Sequence, residues 1–288
     1  MTSLRLPEDA ARVLAVLSRG EIEVKGRIRW SSNAIFLVAV HPPGPNAGRD
    51  GAAKHQSGKA QSGKTQSGKT QSGKTQSWKS QSGSVERPPM DREILAIYKP
   101  AKGERPLWDF PRGLWKREVA AYELSSSLGW DVVPPTAARL DGPLGPGSLQ
   151  YCVDAVGDEH YFTLLEEPSQ HESLKRIAAF DLVANNADRK SGHCLLDQDG
   201  HVWAIDNALC FHAEPKLRTV IWDFAGDRIE DDLLSSLELL ARAEVPRILR
   251  RLLEDEEIAA LSARAASVFR RGKYPEPTGD FPYPWPLV

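Results

Sequence analysis

Two aspartates on either side of a β-hairpin signal carry the chemistry that this sequence suggests. Asp188 lies in a polar, glycine-containing loop, residues 185–193, which follows an apolar helical pattern. An Asp-Gly turn between two apolar runs leads from this loop to Asp206, and such a turn is a strong hairpin signal. Kinases place a catalytic acid and a magnesium ligand in this order. The pair therefore predicts phosphoryl transfer.

A lysine and a glutamate elsewhere in the chain can complete such a site. Lys99 stands at the end of a predicted strand, and Glu118 lies in the first turns of the helix predicted next. A kinase uses a strand lysine to hold the nucleotide phosphates and a helix glutamate to keep that lysine in place. Each residue alone also fits a solvated surface position. Taken together with Asp188 and Asp206, they favour an ion pair between Lys99 and Glu118.

Two other stretches are predicted to contact the nucleotide. Ser31, Ser32 and Asn33 form a tight polar turn between two strands, where amides and hydroxyls can meet a phosphate. The same residues also fit a turn with no further role. A later strand runs into the position of a kinase hinge, whose backbone would hold adenine. The predicted hinge residues are Gln150, Tyr151, Cys152 and Val153.

The hydrophobic pattern predicts an α+β, two-lobed, protein-kinase-like fold. Apolar residues recur at helical spacing in some segments and alternate at strand spacing in others. We expect a β-rich N-lobe over residues 1–153 and a helical C-lobe over residues 154–288, with ATP bound between them. The predicted strands are 21–28, 34–40, 94–98, 136–140, 148–153 and the hairpin 194–205, and the predicted helices are 7–19, 115–128, 171–185, 256–270 and further helical chain from 229.

Residues 42–90 are predicted to form a disordered insertion within the N-lobe. A five-residue unit, Gln-Ser-Gly-Lys-Thr, recurs with variations over residues 56–84. The stretch has almost no apolar residues, so it cannot bury enough surface to offset the entropy of ordering. The sequence Gly63-Lys64-Thr65 ends a match to the phosphate-binding P-loop pattern, but no strand pattern precedes it and no helix pattern follows. We interpret that match as an accident of the repeat.

Composition limits the classes of protein to which the chain can belong. Its 288 residues are 41% hydrophobic, which is enough to build two cores, and its net charge of −2 gives no general attraction to nucleic acid. No run approaches the length of a bilayer span, and the first residues lack the apolar core of a signal peptide. Cys152, Cys194 and Cys210 are too irregularly spaced for a disulfide framework. We expect a cytoplasmic protein with reduced thiols, no nucleic-acid partner and no stable membrane insertion.

Three loops are expected to surround the site or to cover a lobe. Residues 105–111 are too apolar for an ordinary loop, so we expect them to pack against a lobe. Residues 211–222 lie where a kinase has its activation loop, although their apolar side chains can instead cover the lower lobe. Residues 281–288 are rich in proline and aromatic residues and are expected to lie extended over the surface.

Short motifs spread over much of the chain carry a resemblance to a known family. In chain order they are Ala96-Ile97-Tyr98-Lys99-Pro100, Glu118-Val119-Ala120-Ala121-Tyr122, Leu128-Gly129, Val133-Pro134-Pro135-Thr136, Phe180-Asp181-Leu182-Val183, Asn186-Ala187-Asp188-Arg189 and Ile205-Asp206-Asn207-Ala208-Leu209. Together they resemble the phosphatidylinositol 3- and 4-kinase-like superfamily. The nearest likeness is to type II phosphatidylinositol 4-kinases and to actinobacterial PI3/PI4-kinase-like proteins of undefined substrate. The resemblance covers roughly residues 21–222 without the insertion.

This resemblance implies a role for each candidate residue. Asp188 would orient or deprotonate the attacking hydroxyl. Asp206 would bind a metal ion, Mg²⁺ or Mn²⁺, that bridges the β- and γ-phosphates of ATP. Lys99 would hold phosphate oxygens while Glu118 keeps it in place. The residues that would cover the phosphates are Ser31, Ser32 and Asn33.

Two residues depart from the pattern of the family. His193 stands five residues after Asp188, where kinases normally have a metal-binding asparagine. Imidazole suits Mn²⁺ better than Mg²⁺, which prefers oxygen, so we expect a preference for Mn²⁺ or a single firmly held ion. His193 can equally serve only in packing or hydrogen bonding within the loop. Ala208 replaces the glycine that usually follows the Asp206-Asn207 pair, which would stiffen that segment.

The identity of the acceptor is the least specified part of this interpretation. A protein Ser or Thr, including one in the chain itself, is favoured because no membrane-binding helix and no basic face outside the insertion are visible. A lipid or small-molecule kinase would share the same site. A nucleotide-binding pseudokinase that acts as a switch or scaffold is the alternative from a different class. His193 supports that alternative, whereas the retained lysine and carboxylates argue against it.

Overall fold

The computed structural model of the protein describes residues 8–29, 33–43, 93–242, 245–279 and 281–288. Two of the predicted phosphate-covering residues, Ser31 and Ser32, lie outside these ranges, and so does nearly all of the predicted insertion at 42–90. Asn33 and every other predicted site residue lie within them.

A five-stranded antiparallel sheet occupies the first part of the described chain, with the strand order β1-β2-β3-β5-β4. Strand β3 lies in the middle of the sheet and carries Lys99, which pairs with Ser148 of β5. Successive side chains of a strand point to opposite faces, so Lys99 faces away from the buried Tyr98. The strands are β1 (Glu21–Ile28), β2 (Ile35–His41), β3 (Ile94–Pro100), β4 (Thr136–Arg139) and β5 (Gly147–Tyr151).

Two helices accompany this sheet. Helix α1 (Glu8–Arg19) buries an apolar stripe against the face that carries Tyr98, and Leu17 is its most deeply buried residue. Helix α2 (Leu114–Ser127) contacts strands β4 and β5 and carries Glu118, which is buried. Because Lys99 faces away from the Tyr98 side, the sheet directs it towards the glutamate of α2 rather than into the α1 core.

The second part of the described chain is mostly helical and holds the larger core. Helix α4 places Leu174, Ile177, Phe180 and Val183 in that core at helical spacing. The hairpin β6–β7 packs Val202 and other apolar residues onto the same cluster. The elements are α3 (Tyr161–Leu165), α4 (His171–Ala184), β6 (Cys194–Leu196), β7 (Val202–Ala204), α5 (Asp231–Arg242), α6 (Leu249–Leu252) and α7 (Asp255–Arg271).

Strand β5 ends two residues earlier than the sequence predicted, at Tyr151 rather than at residue 153. Gln150 and Tyr151 belong to strand β5, and the side chain of Gln150 is buried and donates to Thr136 Oγ1 at 3.0 Å. After Cys152, whose amide donates to the carbonyl of Leu95, the chain reaches the helical part, where Ala155 forms a bridge with the hairpin. The strand end was misplaced because the alternating pattern does not reveal where pairing in the sheet stops, and the hinge role of residues 150–153 stays a prediction.

The predicted elements are otherwise confirmed to within one or two residues at their ends, and the hairpin and the long helices appear where expected. The short helix α3 was not predicted, because five residues give too little periodicity to recognise. All three cysteines are free thiols. Among the described residues, none of the helices combines the length and apolar character needed to cross a lipid bilayer.

Candidate active site

Lys99, Glu118 and Asp206 meet at the centre of the candidate site. Lys99 Nζ donates to Glu118 Oε1 and lies 2.8 Å from Asp206 Oδ1. The other oxygen of Glu118 accepts the backbone N–H of Asn207 at 3.1 Å. One buried carboxylate on α2 therefore holds both the strand lysine and the loop that carries Asp206. The lysine–glutamate pair predicted from the sequence is present.

The three charges perturb one another strongly. Burial alone would lower the pKa of Lys99, but Asp206 and Glu118 outweigh burial and hold that pKa above its ordinary value. Lys99 holds the pKa of Asp206 well below its usual range, whereas burial raises the pKa of Glu118. Two carboxylates share one ammonium group, so the cluster carries an excess negative charge when all three are ionised. Such a cluster favours an additional cation.

Asp188 lies in the loop that follows α4. Its amide donates to Asn186 Oδ1 at 3.0 Å, and its carboxylate lies 3.3 Å from Lys190 Nζ. Burial raises the pKa of Asp188, and Lys190 opposes this shift. About a quarter of the side chain, 26%, remains exposed, so the carboxylate is accessible to another molecule.

His193 connects the loop of Asp188 to Asp206. Its Nδ1 lies 3.0 Å from the carbonyl oxygen of Asp188, and its Nε2 lies 3.5 Å from Asp206 Oδ2. Burial lowers the pKa of His193 to about 4, so the imidazole is neutral at neutral pH. Nδ1 lies 3.0 Å from that carbonyl acceptor and 3.4 Å from the donor N–H of Lys190; we assign the proton to Nδ1, because the carbonyl is the shorter contact. The lone pair of Nε2 then faces a carboxylate oxygen.

A buried network beneath the two loops holds them together. The guanidinium of Arg189 donates to both oxygens of Asp181, with the closest contact at 2.9 Å, and both side chains are fully buried. Arg189 also donates to the carbonyl of Ile205 at 2.6 Å and to Asn207 Oδ1 at 2.7 Å. Ile205 and Asn207 flank Asp206, which has a left-handed backbone with φ of 56°. Arg189 thus fixes the position of Asp206 relative to Asp188.

Asn185 anchors the segment 211–222. This residue ends α4 in a left-handed conformation, with φ of 56°, which asparagine tolerates better than most residues. Its amide group donates to the carbonyls of His212 at 2.9 Å and Glu214 at 2.7 Å, and its oxygen accepts the N–H of Lys216 at 2.9 Å. The segment predicted to be an activation loop is therefore tied at three points to the helix that leads into the loop of Asp188.

The loop 105–113 bridges the sheet part and the helical part, but the predicted packing of residues 105–111 is confirmed only at Phe110, since Leu107 and Trp108 are exposed. Phe110 is buried with Leu114 of α2 and with Ala187, the neighbour of Asp188. Lys216 Nζ lies 3.3 Å from Asp109 Oδ2 and 5.7 Å from the centre of the Phe110 ring. The loop thus joins α2 to both segments that flank the candidate site.

The described part of the turn between β1 and β2 contacts the start of the loop that follows strand β3. Asn33 Oδ1 accepts the N–H of Arg105 at 2.9 Å, and the amide of Ala34 donates to the carbonyl of Gly103 at 3.0 Å. A small cavity of about 20 Å³ lies between the turn and the charged cluster. Its lining includes Asn33, Lys99, Glu104, Glu118, Asp206 and Ala208.

Sequence reasoning missed the residues that only support the site. Asp181 was noted as part of a motif, but its partner was not predicted, and Asn185 was read only as part of a polar loop. One signal was available, because Asp181 follows Ile177 by four residues and so lies on the apolar stripe of α4. A carboxylate on a buried stripe requires a partner, and the nearby Arg189 is the natural choice.

A separate acidic group on the sheet does not belong to this site. Glu23, His41 and Glu93 lie close enough to hold one ion. However, Lys25 Nζ lies 2.9 Å from Glu23 and 3.7 Å from Glu93, so an ammonium group already neutralises the cluster. We assign no metal to it.

Comparison with solved structures shows that the fold is kinase-like. The structure of hydra Fam20 with sugar matches 92% of this chain and 88% of its own length, with a TM-score of 0.54 and 13% sequence identity. The crystal structure of the Golgi casein kinase with Mn/ADP bound matches 91% of this chain and 74% of its own, with a TM-score of 0.47 and 11% identity. At these identities the likeness concerns the fold alone.

Comparison with known sequences identifies a relative that spans nearly the whole chain. No family model matches the sequence. Protein Rv2133c from Mycobacterium tuberculosis is 35% identical over an alignment of 309 residues, which covers 94% of this chain and 94% of the relative. The chain therefore belongs to the family of Protein Rv2133c.

Proposed function

We propose that the protein is an ATP-dependent phosphotransferase that acts on a hydroxyl acceptor. The observation that carries this proposal is the position of Lys99 between Glu118 and Asp206, with Lys99 Nζ 2.8 Å from Asp206 Oδ1. Kinases need this arrangement, because charge spread over the transferring phosphoryl group must be met by fixed cations and by a metal ligand. The kinase-like fold supports the same conclusion at a general level.

Each residue at the centre has a role in this proposal. Lys99 holds phosphate oxygens of ATP, and Glu118 keeps the lysine directed towards them. Asp188 is partly exposed beside the cluster and orients or deprotonates the attacking hydroxyl. Cys152 and Val153, in the crossing between the two parts, contact the adenine. Ser31, Ser32 and Asn33 are proposed to cover the phosphates.

The donor set around Asp206 fits a divalent cation. With the proton of His193 on Nδ1, the lone pair of Nε2 and the oxygen of Asp206 face each other at 3.5 Å, and a cation between them would satisfy both. A mixed nitrogen and oxygen set suits Mn²⁺ better than Mg²⁺. Asp206 and His193 would therefore hold the ion. When bound, it would supply positive charge that neutralises the phosphates.

The proposal also names a class of acceptor and a type of kinase. We favour a protein Ser or Thr acceptor, including one on the chain itself, and a cytoplasmic location. The motifs around Asp188 and Asp206 favour the PI3/PI4-kinase-like type. A lipid or a small-molecule acceptor would use the same centre. Binding to liposomes that contain phosphatidylinositol would distinguish the lipid acceptor from the protein acceptor.

The experiment that tests this proposal is transfer of labelled γ-phosphate from ATP, with Mg²⁺ or Mn²⁺, by the purified protein. We expect label on an acceptor with the wild type and none with Asp188→Ala or Asp206→Ala. The matched control is Asp199→Ala, which removes an exposed aspartate from the turn of the nearby hairpin. This control should transfer label as the wild type does. Equal labelling by all four proteins would overturn the proposal.

A nucleotide-binding pseudokinase is the second candidate, and His193 is the observation that favours it. The imidazole stands in the place of the usual asparagine, and one of its nitrogens is engaged with the backbone of Asp188. Thermal stabilisation by ATP without transfer to any acceptor would favour this candidate. The absence of both stabilisation and transfer would exclude both candidates.

A further inference from the structure

Residues 281–288 form a segment whose composition sets its shape. Proline occupies positions 282, 284 and 286, and aromatic or apolar residues stand between them. Proline fixes its own φ and disfavours helix at the residue before it, so this aromatic–proline segment is non-helical, and the chain bends at Tyr283, Trp285 and Pro286. The side chains of Phe281 and Trp285 are 79% and 89% exposed. Within residues 281–288 only Pro284 is buried, so most of these side chains do not hold the segment in place.

Backbone carbonyls attach the aromatic–proline segment to the candidate site. The carbonyl of Leu287 accepts the N–H of Ser191 at 2.9 Å. The carbonyl of Pro282 accepts the N–H of Thr219 at 3.1 Å and the indole N–H of Trp222 at 3.2 Å. Ser191 lies three residues after Asp188, and Thr219 belongs to the segment anchored by Asn185. The aromatic–proline segment thus joins the two loops beside the candidate catalytic residue.

The contact at Ser191 supplies a bond that the loop cannot make by itself. Ser191 opens the 3₁₀ turn Ser191–His193, and the first N–H groups of a helical turn have no partner within it. Ser191 is fully buried, so water cannot replace a lost partner. The same turn carries His193, which contacts Asp188 through Nδ1 and faces Asp206 through Nε2. A displacement of Ser191 would therefore shift His193 and, through it, alter the positions of Asp188 and Asp206.

Thr219 also contacts the buried network of Asp181 and Arg189 that lies under the site. Thr219 Oγ1 lies 3.3 Å from Asp181 Oδ2, and Asp181 holds Arg189. The backbones of residues 218–220 and Arg189 also pair directly, since Arg189 donates to the carbonyl of Arg218 and accepts from Val220. The two ends of the aromatic–proline segment therefore support the loop of Asp188 from two directions.

We propose that the aromatic–proline segment is a positioning element of the site, which acts through Ser191 and Thr219 to fix Asp188 and His193. It contacts neither the nucleotide nor the acceptor in this role. The inference rests on the proposed phosphoryl transfer for its effect on rate. Its structural part, the support of the two loops, does not depend on any activity.

Hydrogen exchange tests the structural part. The wild type is compared with a chain that ends at residue 279. In the shortened chain the N–H groups of Ser191 and Thr219 lose their acceptors, and we expect amides of both loops, residues 189–193 and 219–222, to exchange at least ~10 times faster because the loops open more often. Amides in α1, which packs in the core cluster of the sheet, should exchange at the wild-type rate and show that the chain is folded. Unchanged exchange in both loops of a folded chain would overturn the proposal.

A full-length variant tests the same contact without shortening the chain. Ser191→Pro removes the N–H donor together with the hydroxyl, and Lys190 already has the extended backbone, φ −89° and ψ 164°, that a following proline requires. Ser191→Ala is the matched variant, since it keeps the N–H and removes a hydroxyl that has no hydrogen-bond partner among the described residues. We expect Ser191→Pro and the shortened chain to lower kcat by at least ~10-fold relative to Ser191→Ala, with KM for ATP changed by less than ~2-fold.

The two proposals fail in different ways. If the wild type transfers phosphate and both Ser191→Pro and the shortened chain transfer it at the same kcat, the positioning role is wrong. If the wild type transfers no phosphate, the proposed function fails, and the exchange experiment alone decides whether the segment supports the loops. A rise in KM for ATP with an unchanged kcat would also contradict positioning of Asp188.

Discussion

Arg189 lies one residue after Asp188 and donates to both oxygens of Asp181 in the interior of the protein, where neither side chain is exposed to solvent. The same guanidinium reaches the backbone and side chain on either side of Asp206. One buried ion pair therefore sets the relative position of the two aspartates to which we assign catalysis and metal binding. This ion pair couples the two loops.

Removal of Arg189 is expected to destabilise the protein strongly. Arg189→Ala leaves Asp181 as a buried carboxylate without its cation, and such changes cost about 3–5 kcal/mol in the free energy of unfolding. The control is Arg176→Ala, because Arg176 pairs with Glu172 and Asp232 at the surface, where a pair contributes about 1 kcal/mol or less. Urea unfolding measures both values. Equal costs for the two variants would show that the buried pair does not hold the loops.

Lys99→Met is expected to abolish most phosphoryl transfer. The substitution keeps the length of the side chain but removes the charge that faces Glu118 and Asp206. A lost electrostatic contact to the reacting group typically lowers kcat by about 10²–10³-fold. Lys102→Met alters an exposed lysine on the adjacent 3₁₀ turn and should leave kcat unchanged within experimental error. A Lys99→Met protein that retains full activity would contradict the role of this lysine.

His193→Asn is expected to change the preference for metal ions. Asparagine offers an oxygen in place of the imidazole nitrogen, so the ratio of activity with Mg²⁺ to activity with Mn²⁺ should rise. Direct titration with Mn²⁺ should show weaker binding, which is a readout independent of transfer. His201→Asn serves as the control, because His201 contacts the carbonyl of Asp131 on the far side of the hairpin. An unchanged metal ratio in His193→Asn would mean that His193 serves only within the loop.

Asn185→Gly is expected to release the segment 211–222. Glycine accepts the left-handed backbone of this position, so the substitution removes the hydrogen bonds of the side chain without adding backbone strain. We expect faster trypsin cleavage after Lys216 and Arg218, because the segment loses its attachment to α4. Asp131→Gly is the matched control, since Asp131 also has a positive φ of 49° and does not contact this segment. Equal cleavage rates in the two variants would show that other contacts hold the segment.

The centre of the site was predictable because its residues stand at element ends that the sequence pattern reveals. Lys99 closes an apolar strand, Glu118 opens a helix, and Asp206 follows a hairpin marked by Asp-Gly. The end of strand β5 was placed two residues too late, at 153 instead of Tyr151, because local alternation does not show where pairing stops.

The contacts between loops could not be predicted, for a different reason. The attachment of the aromatic–proline segment depends on the carbonyls of Pro282 and Leu287, and a backbone carbonyl has no signature in the sequence. The network of Asp181 and Arg189 involves side chains whose direction becomes known only when the helix and the loop are packed together. Patterns along the chain therefore predict elements and their ends better than they predict contacts between loops.

The central claim is that Asp188 acts in phosphoryl transfer from ATP, and the most direct measurement compares the wild type with Asp188→Asn. The substitution keeps the shape of the side chain and removes its charge. With Mn²⁺ present, we expect both proteins to bind ATP with similar Kd and only the wild type to transfer the labelled γ-phosphate at an appreciable rate. Transfer at equal rates by the two proteins, or transfer by neither, would contradict the account.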